Sequence, residues 1–256
     1  MRPLFVVAVA ACLLAAAVAM EAPATLVDRQ LDTLTDGRLR VANSSGRLWN
    51  GSGELTLLPY GARVPVAWHI DMLPLLRSRL NGTLTPGATD TAQTAFELSA
   101  EDFAVRRLAL ALPAEALLRA GGAPGLLTAA GGTVDVQIDA FAMRRGMFEG
   151  GFLARWQGAS LVGPSSAIAI ALGDMRLEAI GNGSELKGAL SNAGGEIEVN
   201  GTLILSATGA ARAEARLKPR EGVDPARSNA IAAALSLLGS MDSSGAFRVT
   251  WQAPGR

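Results

Sequence analysis

After residue 35 the commonest pattern is an apolar residue at every second position, and a period of two puts alternate side chains on one face of a β-sheet. Val64, Val66, Trp68 and Ile70 form one such face; Val134, Val136, Ile138 and Ala140 form another; Phe247, Val249 and Trp251 form a third. Asn-Gly, the dipeptide of type I′ turns, occurs at Asn50-Gly51, Asn81-Gly82, Asn182-Gly183 and Asn200-Gly201. Each is also a formal glycosylation sequon, but in a chain with 29 glycines the turn is the better reading. The sequence therefore predicts tight turns at these sites, with a hairpin over 196–206 pivoting on Asn200-Gly201. The predicted fold is mainly β: an antiparallel, curved, two-lobed sheet with two short helices.

Those helices are the two segments that break the alternation. Pro113 to Ala120 has proline in its first turn and Gly121-Gly122 beyond its end. In the second, Asp224 can cap, Pro225 suits the first turn, and Ile231, Ala234, Leu235 and Leu238 fall on one stripe before Gly239. Gly121 to Gly132 reads as a linker, which predicts lobes over 23–122 and 130–256, each with a glycine-flanked tryptophan strand and a proline-led helix.

Ahead of this domain, an uninterrupted apolar run extends from Leu4 to Met20 after Arg2. As a helix it spans roughly 25 Å, close to the ~30 Å of a hydrocarbon layer. Residues 1–22 therefore read as a membrane anchor or, with Ala17-Val18-Ala19 as a small-x-small site, as a cleaved signal. Cys12, the single cysteine, lies inside this run, so residues 23–256 contain no disulfide and no thiol.

Lys+Arg and Asp+Glu both number 23, and a net charge of zero gives no electrostatic case for nucleic acid. Chemistry-bearing constellations are as scarce. His69, the one histidine, stands opposite the apolar face of its strand, and no Gly-x-Ser-x-Gly elbow accompanies it. One histidine is too few for a zinc site. Glu101-Asp102, Asp135 with Asp139, and Glu196 with Glu198 have the spacing of solvated strand faces. The glycine pairs at 121–122, 131–132, 150–151 and 194–195 lack a following Lys-Ser/Thr and read as turns or bulges. No catalytic, cofactor-binding or metal-ligating residue is assigned, and no cofactor is expected. The four tryptophans, Trp49, Trp68, Trp156 and Trp251, read as buried anchors, with Trp49 set into the core from a strand flanked by Gly46, Gly51 and Gly53.

The order of these features resembles the protein N family of the bacterial type II secretion system. The resembling positions are Gly46-x-x-Trp49-x-Gly51; Val66-Ala67-Trp68-His69-Ile70 with Leu73-Pro74-Leu75-Leu76; Leu112-Pro113; Arg155-Trp156-Gln157-Gly158-Ala159; Leu172-Gly173-Asp174; Leu190-Ser191-Asn192-Ala193-Gly194-Gly195; and Leu237-Leu238-Gly239. The resemblance implies a non-enzymatic component of the apparatus, held in the inner membrane by its N-terminal segment with its β domain in the periplasm. Its partners would be other secretion-system subunits, through residues that the resemblance leaves open. A second reading is a periplasmic β-groove protein that binds or transfers lipid. An outer-membrane barrel fits the low aromatic content poorly, and a glycan-binding surface would need tryptophans in an exposed row.

Overall fold

The computed structural model describes residues 21–34, 37, 39–57, 62–87, 93–120, 128–163 and 169–253. The apolar run 4–20, Cys12 and Gly121-Gly122 lie outside them. The chain divides into two compact units, Met1–Phe96 and Glu97–Arg256, with the division inside strand β5 (Thr94–Leu98). Every strand pair whose register is described is antiparallel, so the mainly β fold with short helices is as the sequence predicts.

In the first unit β1 (Leu39–Gly46), β2 (Asn50–Leu57), β3 (Ala62–Asp71) and β4 (Leu80–Pro86) pair in chain order. A 3-10 turn, Leu73–Arg77, precedes β4. Helix α1 (Thr25–Leu34), which the sequence analysis does not anticipate, packs Val27 and Leu31 against Ala24, Val41 and Trp68. Those two residues are four apart, one turn of a helix, but the apolar stripe is too short to stand out beside the long alternation that follows. Asp28 Oδ1 accepts from the Val41 backbone nitrogen at 2.8 Å, so α1 also satisfies a donor on the outermost strand.

Trp68 is the anchor of this unit. It is buried, and its indole Nε1 donates to the Leu48 carbonyl at 2.9 Å. Directly opposite lies Gly51, where a Cβ would stand 2.6 Å from the Trp68 ring; at Gly53 a Cβ would stand 2.5 Å from Val41. Gly51 thus clears space for the tryptophan of the neighbouring strand, and Gly53 for Val41. Trp49 itself is half-buried in the turn between β1 and β2, which corrects its placement as a core residue of a strand.

In the second unit the strands are β6 (Phe103–Pro113), β7 (Ala129–Arg144), β8 (Met147–Val162), β9 (Ala169–Asn182), β10 (Glu185–Ala193), β11 (Ile197–Ser206), β12 (Ala211–Pro219), β13 (Ser240–Met241) and β14 (Phe247–Ala253). They lie side by side in chain order, except that β14 sits between β12 and β13. Helix α2 (Ala114–Ala120) follows β6, which ends on Pro113. Helix α3 (Pro225–Ser236) begins as predicted: Asp224 accepts from the Ala226 and Arg227 backbone nitrogens at 3.0 and 3.2 Å, and Pro225 occupies the first turn.

Register separates the two faces of this sheet. Val199, Leu217 and Phe247 stand in one cross-strand row on the inner face, beneath Ile231 and Leu235 of α3. One residue along, Arg155, Arg176, Ser191, Asn200, Arg216 and Arg248 form a row on the opposite face. Among them Arg176, Arg216 and Arg248 pair with Glu178, Asp242 and Glu214. A second core patch gathers Phe148, Ala179 and Leu186 with Phe141 and Phe152.

Three of the four Asn-Gly turns are corrected. Asn200-Gly201 runs through the middle of β11 with no hairpin, because Gly201 faces Leu190 on one side and Ala215 on the other, and a Cβ there would stand 2.7 Å from the Glu214 carbonyl oxygen. Asn50-Gly51 opens β2 and Asn81-Gly82 lies in β4, Gly82 packing under Phe96. Only Asn182-Gly183 turns the chain, between β9 and β10, with Gly183 at φ +64°. Gly131-Gly132 lies in β7, with a register shift between Gly131 and Thr133, in keeping with its reading as a bulge.

Candidate functional site

Each polar residue singled out from the sequence has a structural setting. His69 is on the exposed side of β3, its Nε2 3.5 Å from Asp71, both side chains more than half exposed. Asp102 Oδ1 accepts from the Arg145 backbone nitrogen at 3.1 Å, tying two turns together. Asp139 and Glu198 are exposed, and Asp135 is half-buried on β7. Among the described residues no three His, Cys, Asp or Glu side chains converge as a metal site. Trp251 is 55% exposed, which corrects its reading as a buried anchor. It continues the face of Phe247 and Val249, of which Phe247 belongs to the cluster that α3 buries.

Glu196 does more than decorate a solvated face. Its carboxylate takes two hydrogen bonds from the Arg227 guanidinium, at 2.6 and 2.8 Å, and one from the Ala171 backbone nitrogen at 2.9 Å. Arg227 also donates to the Ala169 carbonyl, so the pair fastens the first turn of α3 to β9. The Arg227 guanidinium holds the Glu196 carboxyl below its ordinary value of 4.5. Asp242, bonded by Ser244 and Arg216, is likewise held well below 3.8.

A carboxylate depressed in the folded state stabilises above its unfolded pKa and ceases to as pH falls through the folded value. Acid should therefore weaken the fold progressively below pH 4.5 for Glu196 and below 3.8 for Asp242. Melting temperatures measured from pH 6 downward should decline less steeply in Glu196→Gln and Asp242→Asn than in the natural chain. Parallel curves would refute the assignment.

Asn192 is a residue whose role the sequence did not reveal. Its Nδ2 donates to the carbonyls of Leu172 (2.6 Å) and Ile197 (2.8 Å), and its Oδ1 accepts from the Val199 nitrogen at 2.8 Å. Three strands are joined at one side chain. Nearby, Asp174 Oδ1 accepts from the Gly158 nitrogen at 2.9 Å, and Trp156 Nε1 donates to the Gly131 carbonyl at 2.8 Å.

An apolar pocket of about 530 Å³ lies between α3 and the inner face of the second unit. Its floor includes Trp156, Met175, Leu190, Val199 and Leu217; its roof includes Ala230, Ala233 and Ala234; Leu237 and Leu238, both exposed, lie at the rim. Alanines on that side of α3 keep the helix from filling the space. No charged side chain lines it.

The family model for type II secretion system protein N matches residues 37–250. The chain belongs to this family. No curated protein and no solved structure gives a significant match. The match falls on the two-unit antiparallel β fold, and several positions that carry the resemblance bond to the backbone of adjoining strands or of the turn between β1 and β2. Trp68 reaches Leu48, Trp156 reaches Gly131, Asp174 reaches Gly158 and Asn192 reaches Leu172.

Among the described residues no helix is long and apolar enough to cross a membrane.

Proposed function

We propose that the chain is a non-enzymatic component of the type II secretion apparatus, anchored in the inner membrane through residues 1–22, with residues 23–256 in the periplasm contacting other secretion subunits. The family match over residues 37–250 is the observation that carries this reading.

The contact is one of surface complementarity, made at a sheet edge. β14 pairs with β12 from Phe247 to Ala253, whereas on its other side β13 covers only Phe247 and Arg248. Among the described residues no strand lies beyond Thr250–Ala253 on that side. Trp251 and Met241, 55% and 63% exposed, flank this edge, and an open edge with exposed apolar side chains is a template for an added strand. By contrast, α1 guards β1.

The test is export in cells that carry the apparatus. Deleting the chain should leave the exported substrate in the periplasm, and Trp251→Glu should reduce its release at least tenfold with unchanged abundance of the chain. Normal export without the chain would overturn the secretion role; normal export with Trp251→Glu alone would overturn the edge as the contact.

A further inference from the structure

We infer that the pocket beneath α3 is a binding site for one acyl chain. Its lining is made only of aliphatic, glycine, methionine and tryptophan residues, and the one polar atom that tryptophan brings, Trp156 Nε1, is already bonded to Gly131. Water needs two to four polar partners to settle in a cavity, which this lining does not offer. A peptide segment would bring backbone N–H and C=O groups that would go unpaired. The occupant is therefore hydrocarbon.

Its shape follows from the fold. The floor crosses five adjacent strands, β8 to β12, at about 4.8 Å per step, so it reaches about 19 Å across the sheet. A volume of about 530 Å³ spread over that reach, with no polar group to hold a compact head, suits an extended, flexible polymethylene chain. The volume itself lies within the range of small-molecule sites.

Polarity fixes the orientation. Arg227, the cation of the first turn of α3, is held by Glu196 and Ala169, and the lining supplies no other charge to a head group. Leu237 and Leu238 form an apolar lip at the opposite end of the helix. The chain enters there, tail first, and leaves its polar head in water. This site rests on the geometry of the second unit and not on the secretion role.

The experiment uses the full chain in phospholipid nanodiscs carrying either a free fatty acid or a phospholipid with a diazirine in mid-chain. After illumination, adducts are mapped by peptide mass spectrometry. Adducts on peptides bearing Leu190, Leu217 or Ala234 are expected, and they should fall at least tenfold in Ala234→Trp, which fills the slot. Labelling from the first probe alone assigns a detached fatty acid, and from the second a membrane lipid tail. Circular dichroism melts check that Ala234→Trp folds; if it does not, Ala233→Phe replaces it. Adducts confined to peptides outside the pocket, none with either probe, or equal yield in the folded variant would overturn the site.

Discussion

Replacing Trp68 by alanine is expected to destabilise the first unit by about 3–5 kcal/mol. The indole is 5% exposed and packed against Ala24 and Val41, with Val27 and Leu31 of α1 alongside, so its removal opens a cavity under the helix. Nor can the gap close readily, because Gly51 and Gly53 on the facing strand have no side chains to move into it. The lost Nε1 bond to Leu48 adds to the cost. Trp251→Ala, at an exposed edge position, should stay within about 0.5 kcal/mol of the natural chain. Urea unfolding followed by far-UV circular dichroism separates the two, and a Trp68→Ala curve that overlays the Trp251→Ala curve would refute the assignment.

Phe247→Ala should cost the second unit about 3–5 kcal/mol. Phe247 is 3% exposed, stands opposite Leu217, and belongs to the cluster that holds Ile231 and Leu235 of α3. The helix buries just those two residues, and isolated helices of this length are marginal in water, so its stability comes from this packing. Hydrogen exchange should therefore show faster exchange across Pro225–Ser236 in Phe247→Ala, on top of the shift in urea midpoint. Unchanged protection of α3 would mean that Glu196 and Arg227 alone hold the helix in place.

The positions that carry the family resemblance now have physical tasks. Asn192 replaces a missing piece of β-ladder for Leu172, Ile197 and Val199, and burying three backbone groups without it would leave each unsatisfied. Gly195 lies at φ +74° in the turn that brings Glu196 beside Ala171, where Glu196 then captures Arg227. These residues serve the fold. That is why motif-by-motif inspection for chemistry finds glycine, tryptophan and asparagine in turns and strands.

Alternation determined the strands, and the capping pattern Asp224-Pro225 with Ile231 and Leu235 determined α3, because both are periodicities of the backbone itself and need no partner to be read. Tertiary structure decided the rest. Asn200-Gly201 has the local preference of a turn, yet two neighbouring strands supply its backbone with a ladder on both sides, and those bonds outweigh the preference. Burial of the tryptophans was likewise a property of what lies opposite: Trp68 and Trp251 occupy similar alternating strands, but only Trp68 has a helix over it. The pocket depends on the same kind of fact, since the alanines of α3 and the apolar side chains of five strands become a cavity only when the register sets them face to face.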